Sequence, residues 1–189
     1  MIARLFIGVP VESFTVGQVV KTWRNDLLLN HSRMNWVKPE NWHITLFFLG
    51  NQQISSIALL QRLIEESFCA VKVFSTQVIG IGVFPGQSKP KVLWIGLENL
   101  EMLMPARNML GELLLKNGFA VDKKPLKPHL TLARMKSPGH SSYFDSFLTH
   151  NRQFSFGPVS INRIVLYESI LSLNGPVYKP LFVLPFEIV

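Results

Sequence analysis

Apolar residues dominate the chain from Ala3 to Val9, interrupted by Arg4 and closed by Pro10, the signature of a buried first strand. The spacing then changes. Val16, Val19, Val20, Trp23 and Leu27 recur at three- and four-residue intervals, which predicts a helix from Phe14 to Leu28 with one buried face. Asn41 to Leu49 is a β-rich run stopped by Gly50. Ile57, Leu60, Ile64 and Phe68 mark a second amphipathic helix. Val71 to Val83 reads as a strand before the loop Phe84-Pro85-Gly86, and Val92 to Leu97 as a short strand containing Trp94. Leu103, Ala106, Leu110, Leu113 and Leu114 predict a third helix that ends at Asn117-Gly118, where glycine supplies the C-cap. His129 to Arg134 is another strand. Ser141 to His150 is a short polar segment with room for a helix turn or two. Phe154 to Phe156, Ile161 to Tyr167 and Val177 to Phe186 read as three further strands.

Strands and helices mix without the strict alternation of a doubly wound parallel sheet. The expected class is α+β with mostly antiparallel pairing. No Gly-, Ser- or Pro-rich linker divides the 189 residues, so residues 1–189 are expected to form one domain. At 48% hydrophobic and 16% charged residues the chain has the composition of a folded globular protein. Its single cysteine, Cys69, makes neither an internal disulfide nor a cysteine zinc site, which fits a reducing compartment. The first residues lack the basic-then-apolar order of a signal peptide, and no apolar run approaches the roughly 18 residues of a membrane helix. The expectation is a soluble cytoplasmic protein.

One pattern occurs twice. Lys38-Pro39-Glu40-Asn41-Trp42-His43-Ile44-Thr45-Leu46 and Lys124-Pro125-Leu126-Lys127-Pro128-His129-Leu130-Thr131-Leu132 share Lys, Pro, His, Thr and Leu at the same offsets, with the histidines 86 residues apart. That is too long for a solenoid repeat but suits two related lobes facing each other. Each copy is a proline-bounded loop running into a strand. Side chains alternate along a strand, so His43 and Thr45 share a face, as do His129 and Thr131, while their Ile and Leu neighbours point into the core. A pseudo-twofold would bring two imidazoles and two hydroxyls to one cleft.

Such a set suits phosphodiester chemistry, which needs one proton removed from the attacking oxygen and one given to the leaving oxygen. Near neutral pH one imidazole can be neutral and another protonated. The hydroxyls donate hydrogen bonds to phosphate oxygens, and Arg134, three residues after Thr131, offers a guanidinium for the transition state. This scheme requires no metal or other cofactor. A lone strand histidine is more often structural, but a packing histidine has no reason to recur with the same Thr and Pro. A zinc site is the sharper rival, yet zinc normally takes three or four protein ligands and the copies supply two.

The remaining features are weaker. Gly80, Gly82 and Gly86 have the wrong spacing for a dinucleotide loop. Cys69 is expected to be a buried structural thiol, Trp23 and Trp94 core residues, Trp42 a brace for the first loop, and His31, His140 and His150 surface residues. The net charge is +7, and Lys116, Lys123, Lys124, Lys127, Arg134 and Lys136 cluster around the second copy with Asp122 as the one acid. That favours an anionic partner guided to the second histidine.

Taken together these residues resemble the two-histidine (2H) phosphoesterases of the LigT or ThpR branch, the RNA 2′,3′-cyclic phosphodiesterases first described as 2′-5′ RNA ligases. The resemblance runs from Arg4-Leu5-Phe6-Ile7 through Trp36 to Gly50, Phe84-Pro85, Val92-Leu93-Trp94 and Pro128 to Arg134. It ends with Leu166-Tyr167-Glu168-Ser169, Gly175 and Tyr178. It implies a bilobal α+β fold with a pseudo-twofold, antiparallel sheets lining a central cleft and helices outside. It also implies metal-independent opening of 2′,3′-cyclic phosphates at RNA ends to 2′-phosphates, with His43 as proton donor and His129 as proton acceptor. Thr45, Thr131 and Arg134 would hold the phosphate. The expected partners are RNA ends or cyclic-phosphate nucleotides, with no membrane, and the chain is expected to be a monomer. Two readings stay open beside hydrolysis: ligation by the same acid and base, and a module that binds a nucleotide without turnover.

Overall fold

In a computed structural model the hydrophobic pattern becomes β1 (Ile2–Pro10), α1 (Phe14–Asn30), β2 (Met34–Trp36), β3 (His43–Gln53), α2 (Ile57–Phe68), β4 (Phe74–Phe84) and β5 (Val92–Glu98). It continues as α3 (Met104–Lys116), β6 (His129–Met135), α4 (Ser142–His150), β7 (Ser155–Ile161), β8 (Arg163–Ser172) and β9 (Gly175–Pro185). The structure describes residues 1–30, 34–86, 90–122, 125–135, 142–172 and 175–188. His31, His140, Lys123, Lys124 and Lys136 lie outside the described residues.

The strands form two antiparallel sheets, one of four strands in the order β3-β1-β8-β9 and one of five in the order β2-β6-β5-β4-β7. Helices back both. α2 packs against β8, β9 and α3 behind the four-stranded sheet, where Gly111 of α3 lets Phe47 approach and Arg107 lies over the Phe47 ring. α1 packs on β7 and α4 behind the five-stranded sheet, and Trp23 makes edge contacts there with Phe147, Phe154 and Phe156. The α+β class and antiparallel sheets read from the sequence are therefore present. The sheets do not follow the halves of the sequence: the four-stranded one joins β1 and β3 to the C-terminal β8 and β9, and the five-stranded one takes β2 from the N-terminal half. Among the described residues no helix is long and apolar enough to cross a membrane.

Several elements differ from the expectation, each for a non-local reason. β2 is only three residues long and exists through its pairing with β6, so no periodicity marks it. β3 continues past Gly50, whose φ of 70° accommodates a bulge against β1. β7 runs through Pro158 and unites what reads as strand and loop. As an edge strand of the five-stranded sheet it tolerates a residue without an N–H, and β9, an edge of the four-stranded sheet, carries Pro176, Pro180 and Pro185 in the same way. β4 begins at Phe74 rather than Val71 and includes Phe84. α3 ends as expected, with Gly118 at φ 83° and the Phe119 N–H donating to the Leu114 carbonyl at 3.0 Å. Cys69 is exposed, against the expectation of a buried thiol. It caps α2 one residue beyond Phe68, off the stripe of Leu60, Ile64 and Phe68 that faces the core.

Candidate active site

β3 and β6 carry the two repeated motifs, belong to different sheets and pack against each other. On both, burial alternates at first: Ile44 and Leu130 are buried, while His43, Thr45, His129 and Thr131 are partly exposed on the opposite face. Then both strands bulge at the same offset. Gly8 pairs with Thr45 and Ile7 with Phe47, leaving Leu46 as the extra residue; Trp94 pairs with Thr131 and Leu93 with Ala133, leaving Leu132 extra. Two successive side chains on each strand consequently turn inward, Leu46 and Phe47 on one and Leu132 and Ala133 on the other, all 5% exposed or less. The residue three after each Thr lands on the Thr face, although an odd separation in a regular strand would put it on the other. In β6 that residue is the exposed Arg134; in β3 it is Phe48, 51% exposed.

The two imidazoles are oriented alike. Nδ1 of His43 lies 2.7 Å from the Asn41 carbonyl oxygen and Nδ1 of His129 lies 2.6 Å from the Lys127 carbonyl oxygen. A carbonyl only accepts, so in each ring the proton of the neutral form sits on Nδ1 and Nε2 keeps a free lone pair. The loops ahead of the strands provide these carbonyls. Pro39–Asn41 forms a single 3₁₀ turn, closed by the Trp42 N–H on the Pro39 carbonyl at 3.0 Å. Trp42 is buried beneath it, as a brace should be.

Aromatic rings wall both histidines. Around His43 stand Phe6 at 4.8 Å, Tyr178 at 5.1 Å and edge-on, and Tyr167 at 6.0 Å between ring centroids. Phe84 meets His129 edge-on at 5.0 Å and Trp94 lies at 6.4 Å. Trp94 thus stands in the wall of the site and is only partly buried, not the core residue expected, because the bulge sets it opposite Thr131, and Gly82 leaves open the space its ring occupies. Burial pushes the His43 pKa below the ordinary imidazole value of 6.5; the Asn41 carbonyl opposes this, and the positive charges of His129 and Arg134 reinforce it. Those last two influences place His129 and Arg134 within electrostatic reach of His43. Burial raises the pKa of Tyr178 and outweighs the opposing pull of Arg134 and Arg4, so its phenol stays protonated. Tyr167 is also raised, chiefly by burial.

The structure therefore brings His43, His129 and Arg134 to one cleft, with Thr45 and Thr131 on the same strand faces. Phe6, Tyr167, Tyr178, Phe84 and Trp94 join them, and pattern reading marks none of these as site residues, because each looks like an ordinary strand aromatic. His150 is exposed on α4, its Nδ1 2.7 Å from the Ser146 carbonyl oxygen, as expected of a surface histidine. A separate cavity of about 420 Å³ is lined by Leu97, Glu98, Asn99, Leu100, Glu101, Met104 and Pro128. Its two carboxylates and lack of a cationic side chain give it the wrong charge for a phosphate.

Comparison with known proteins agrees in direction. Residues 5–186 match the family model described as the AKAP7 2′5′ RNA ligase-like domain. A Thermotoga maritima protein named RNA 2′,3′-cyclic phosphodiesterase is 36% identical over 161 residues, 80% of this chain and 79% of its own. One of the same name from Archaeoglobus fulgidus is 35% identical, with 94% of this chain and 97% of its own covered. In fold, a Thermus thermophilus protein superposes with a TM-score of 0.79 at 24% identity, covering 97% of both chains. LigT of E. coli, solved in complex with 3′-AMP, superposes with a TM-score of 0.77 at 21% identity, covering 98% of this chain and 99% of its own.

Proposed function

The chain belongs to the 2′5′ RNA ligase-like family of two-histidine phosphoesterases, and from that membership we propose that it is an RNA 2′,3′-cyclic phosphodiesterase. The observation that carries the chemistry is the matched pair of imidazoles. Each is pinned through Nδ1 to the carbonyl two residues earlier, leaving both Nε2 atoms free for proton transfer.

In the proposed reaction a cyclic phosphate sits between the rings. His129 takes a proton from water as its oxygen attacks phosphorus. The bond from phosphorus to O3′ breaks, and His43 gives its Nε2 proton to O3′. The products are a 2′-phosphate and a free 3′-hydroxyl. The assignment draws support from solvent access: the Lys127 carbonyl bond of His129 is exposed, where water arrives, while that of His43 is partly buried among aromatic rings. Thr45 and Thr131 are assigned to the non-bridging oxygens and Arg134 to the charge that builds on them. Both rings come from one chain, so the scheme needs no second copy, and residues 1–189 act as one unit because each sheet needs strands from both halves of the sequence.

The test is product analysis on an RNA oligonucleotide ending in a 2′,3′-cyclic phosphate. The expected product carries a 2′-phosphate, with turnover lowered by about 10²-fold or more in His43→Ala or His129→Ala. A 3′-phosphate product, or binding without turnover, would overturn the reading. An added RNA with a 5′-hydroxyl separates ligation, in which that hydroxyl replaces water, from hydrolysis.

A further inference from the structure

The bulge of β6 brings Arg134 to the cleft, whereas the equivalent bulge of β3 brings Phe48, an aromatic ring with no charge. The charge missing from that side comes from the neighbouring strand. The Arg4 guanidinium lies over the Phe48 ring, 4.9 Å from its centroid. β1 pairs without an extra residue of its own, so Arg4, Phe6 and Gly8 share a face. Phe6 packs on His43 and Gly8 pairs with Thr45, which makes that face the cleft face. Arg4 is exposed, and among the described residues no carboxylate lies within ion-pair distance of it. The exposed amide of Asn51 is its register partner on β3.

We propose that Arg4, seated on Phe48, forms a second anion subsite that holds the internucleotide phosphate one step upstream of the cyclic end. This rests on the cyclic phosphodiesterase reading above and deepens it: the preferred substrate is an oligonucleotide end rather than a cyclic mononucleotide. The spacing fits. Arg4 stands about 13 Å along β1 from Gly8, beside Thr45, and about 7 Å from Phe6, beside His43, at the usual rise of a strand. That is beyond the terminal phosphate but on the path of the chain leading to it. Tyr178 connects the two positions: its ring meets His43 edge-on at 5.1 Å, and the charges of both Arg4 and Arg134 reach its hydroxyl. Phe48 fixes the guanidinium by a cation–π contact and leaves its N–H groups for phosphate oxygens.

The experiment compares a 2′,3′-cyclic mononucleotide with a dinucleotide ending in the same cyclic phosphate. Arg4→Ala is expected to lower kcat/KM about tenfold more on the dinucleotide than on the mononucleotide, mostly through KM. Arg4→Lys keeps the charge without the planar stack and is expected to fall between. Phe48→Leu, which keeps Arg4 but removes its platform, shifts the substrate ratio in the same direction. A dinucleotide with a neutral methylphosphonate in place of the internucleotide phosphate should lose its advantage with the unaltered protein. Equal losses on both substrates, or no loss of the dinucleotide advantage in Arg4→Ala, overturn the subsite. If the unaltered protein opens neither substrate, it is the cyclic phosphodiesterase reading that falls, which is a distinct result.

Discussion

Gly8 and His43 are packed so closely that a single methyl group on Gly8 would lie 3.3 Å from Cδ2 of the imidazole and 2.9 Å from the Ile44 carbonyl oxygen. The carbonyl belongs to the β1–β3 ladder and cannot swing away, so relief must come from β3 or from the ring it carries. Gly8→Ala is expected to destabilise the protein by roughly 1–3 kcal/mol and to lower kcat more than that loss of folded protein accounts for. Parallel urea unfolding and single-turnover rates check this. A stable variant with unaltered kcat removes the proposed link between strand spacing and ring position.

The His43 environment makes folding stability depend on pH. Its folded pKa is below the ordinary value, so below about pH 6.5 the unfolded chain binds more protons than the folded one, and stability falls as pH drops. Above that value both states are neutral at this site and the penalty vanishes. His43→Phe, a ring among Phe6, Tyr167 and Tyr178, is expected to show a shallower loss of stability than wild type between pH 7.5 and 5.5. Denaturant melts at the two pH values measure the difference; identical slopes rule the effect out.

Activity should respond to pH with two limbs. The two limbs of kcat/KM report the lower and the higher pKa of the histidine pair whichever ring is the acid, so the lowered pKa of His43 puts the acidic limb below 6.5. In kcat the same limb moves upward, because a bound phosphate anion favours the imidazolium. Rate profiles across pH 4.5 to 9 check this: an acidic limb of kcat/KM above pH 6.5 rules out the lowered pKa of His43. Replacing either histidine by alanine is expected to cost about 10²- to 10⁴-fold in kcat.

Arg134 is expected to act on the transition state rather than on ground-state binding. Arg134→Ala should lower kcat by about 10²-fold, and Arg134→Lys should recover only part of that, since an ammonium cannot form two parallel bonds to a phosphate. Steady-state kinetics on a cyclic phosphate separate the cases. A rise in KM with kcat unchanged would assign Arg134 to substrate capture instead.

Much of this protein could be read from its sequence. The strand alternation of His43-Ile44-Thr45-Leu46 and its copy at His129 is a local property, and local sterics fix which side chains share a face. The helices were legible for the same reason: Leu60, Ile64 and Phe68 form a stripe that only a buried helix face explains. Recurrence of the motif marks two otherwise ordinary strand histidines as a candidate pair.

Other features depended on partners distant in the chain. Arg134 reaches the cleft only because Leu132 has no partner on β5, and a bulge is decided by the register of two strands, not by the letters of one. Trp94 and Tyr178 became walls of the site, and Arg4 came to lie over Phe48, through the order in which strands were laid side by side. The sequence by itself determined the reactive groups and their faces, because backbone stereochemistry acts within a few residues. Only the tertiary structure decided which sheet each motif joins and which charges meet across the cleft, because hydrogen-bond pairing between strands is made by segments far apart in the chain.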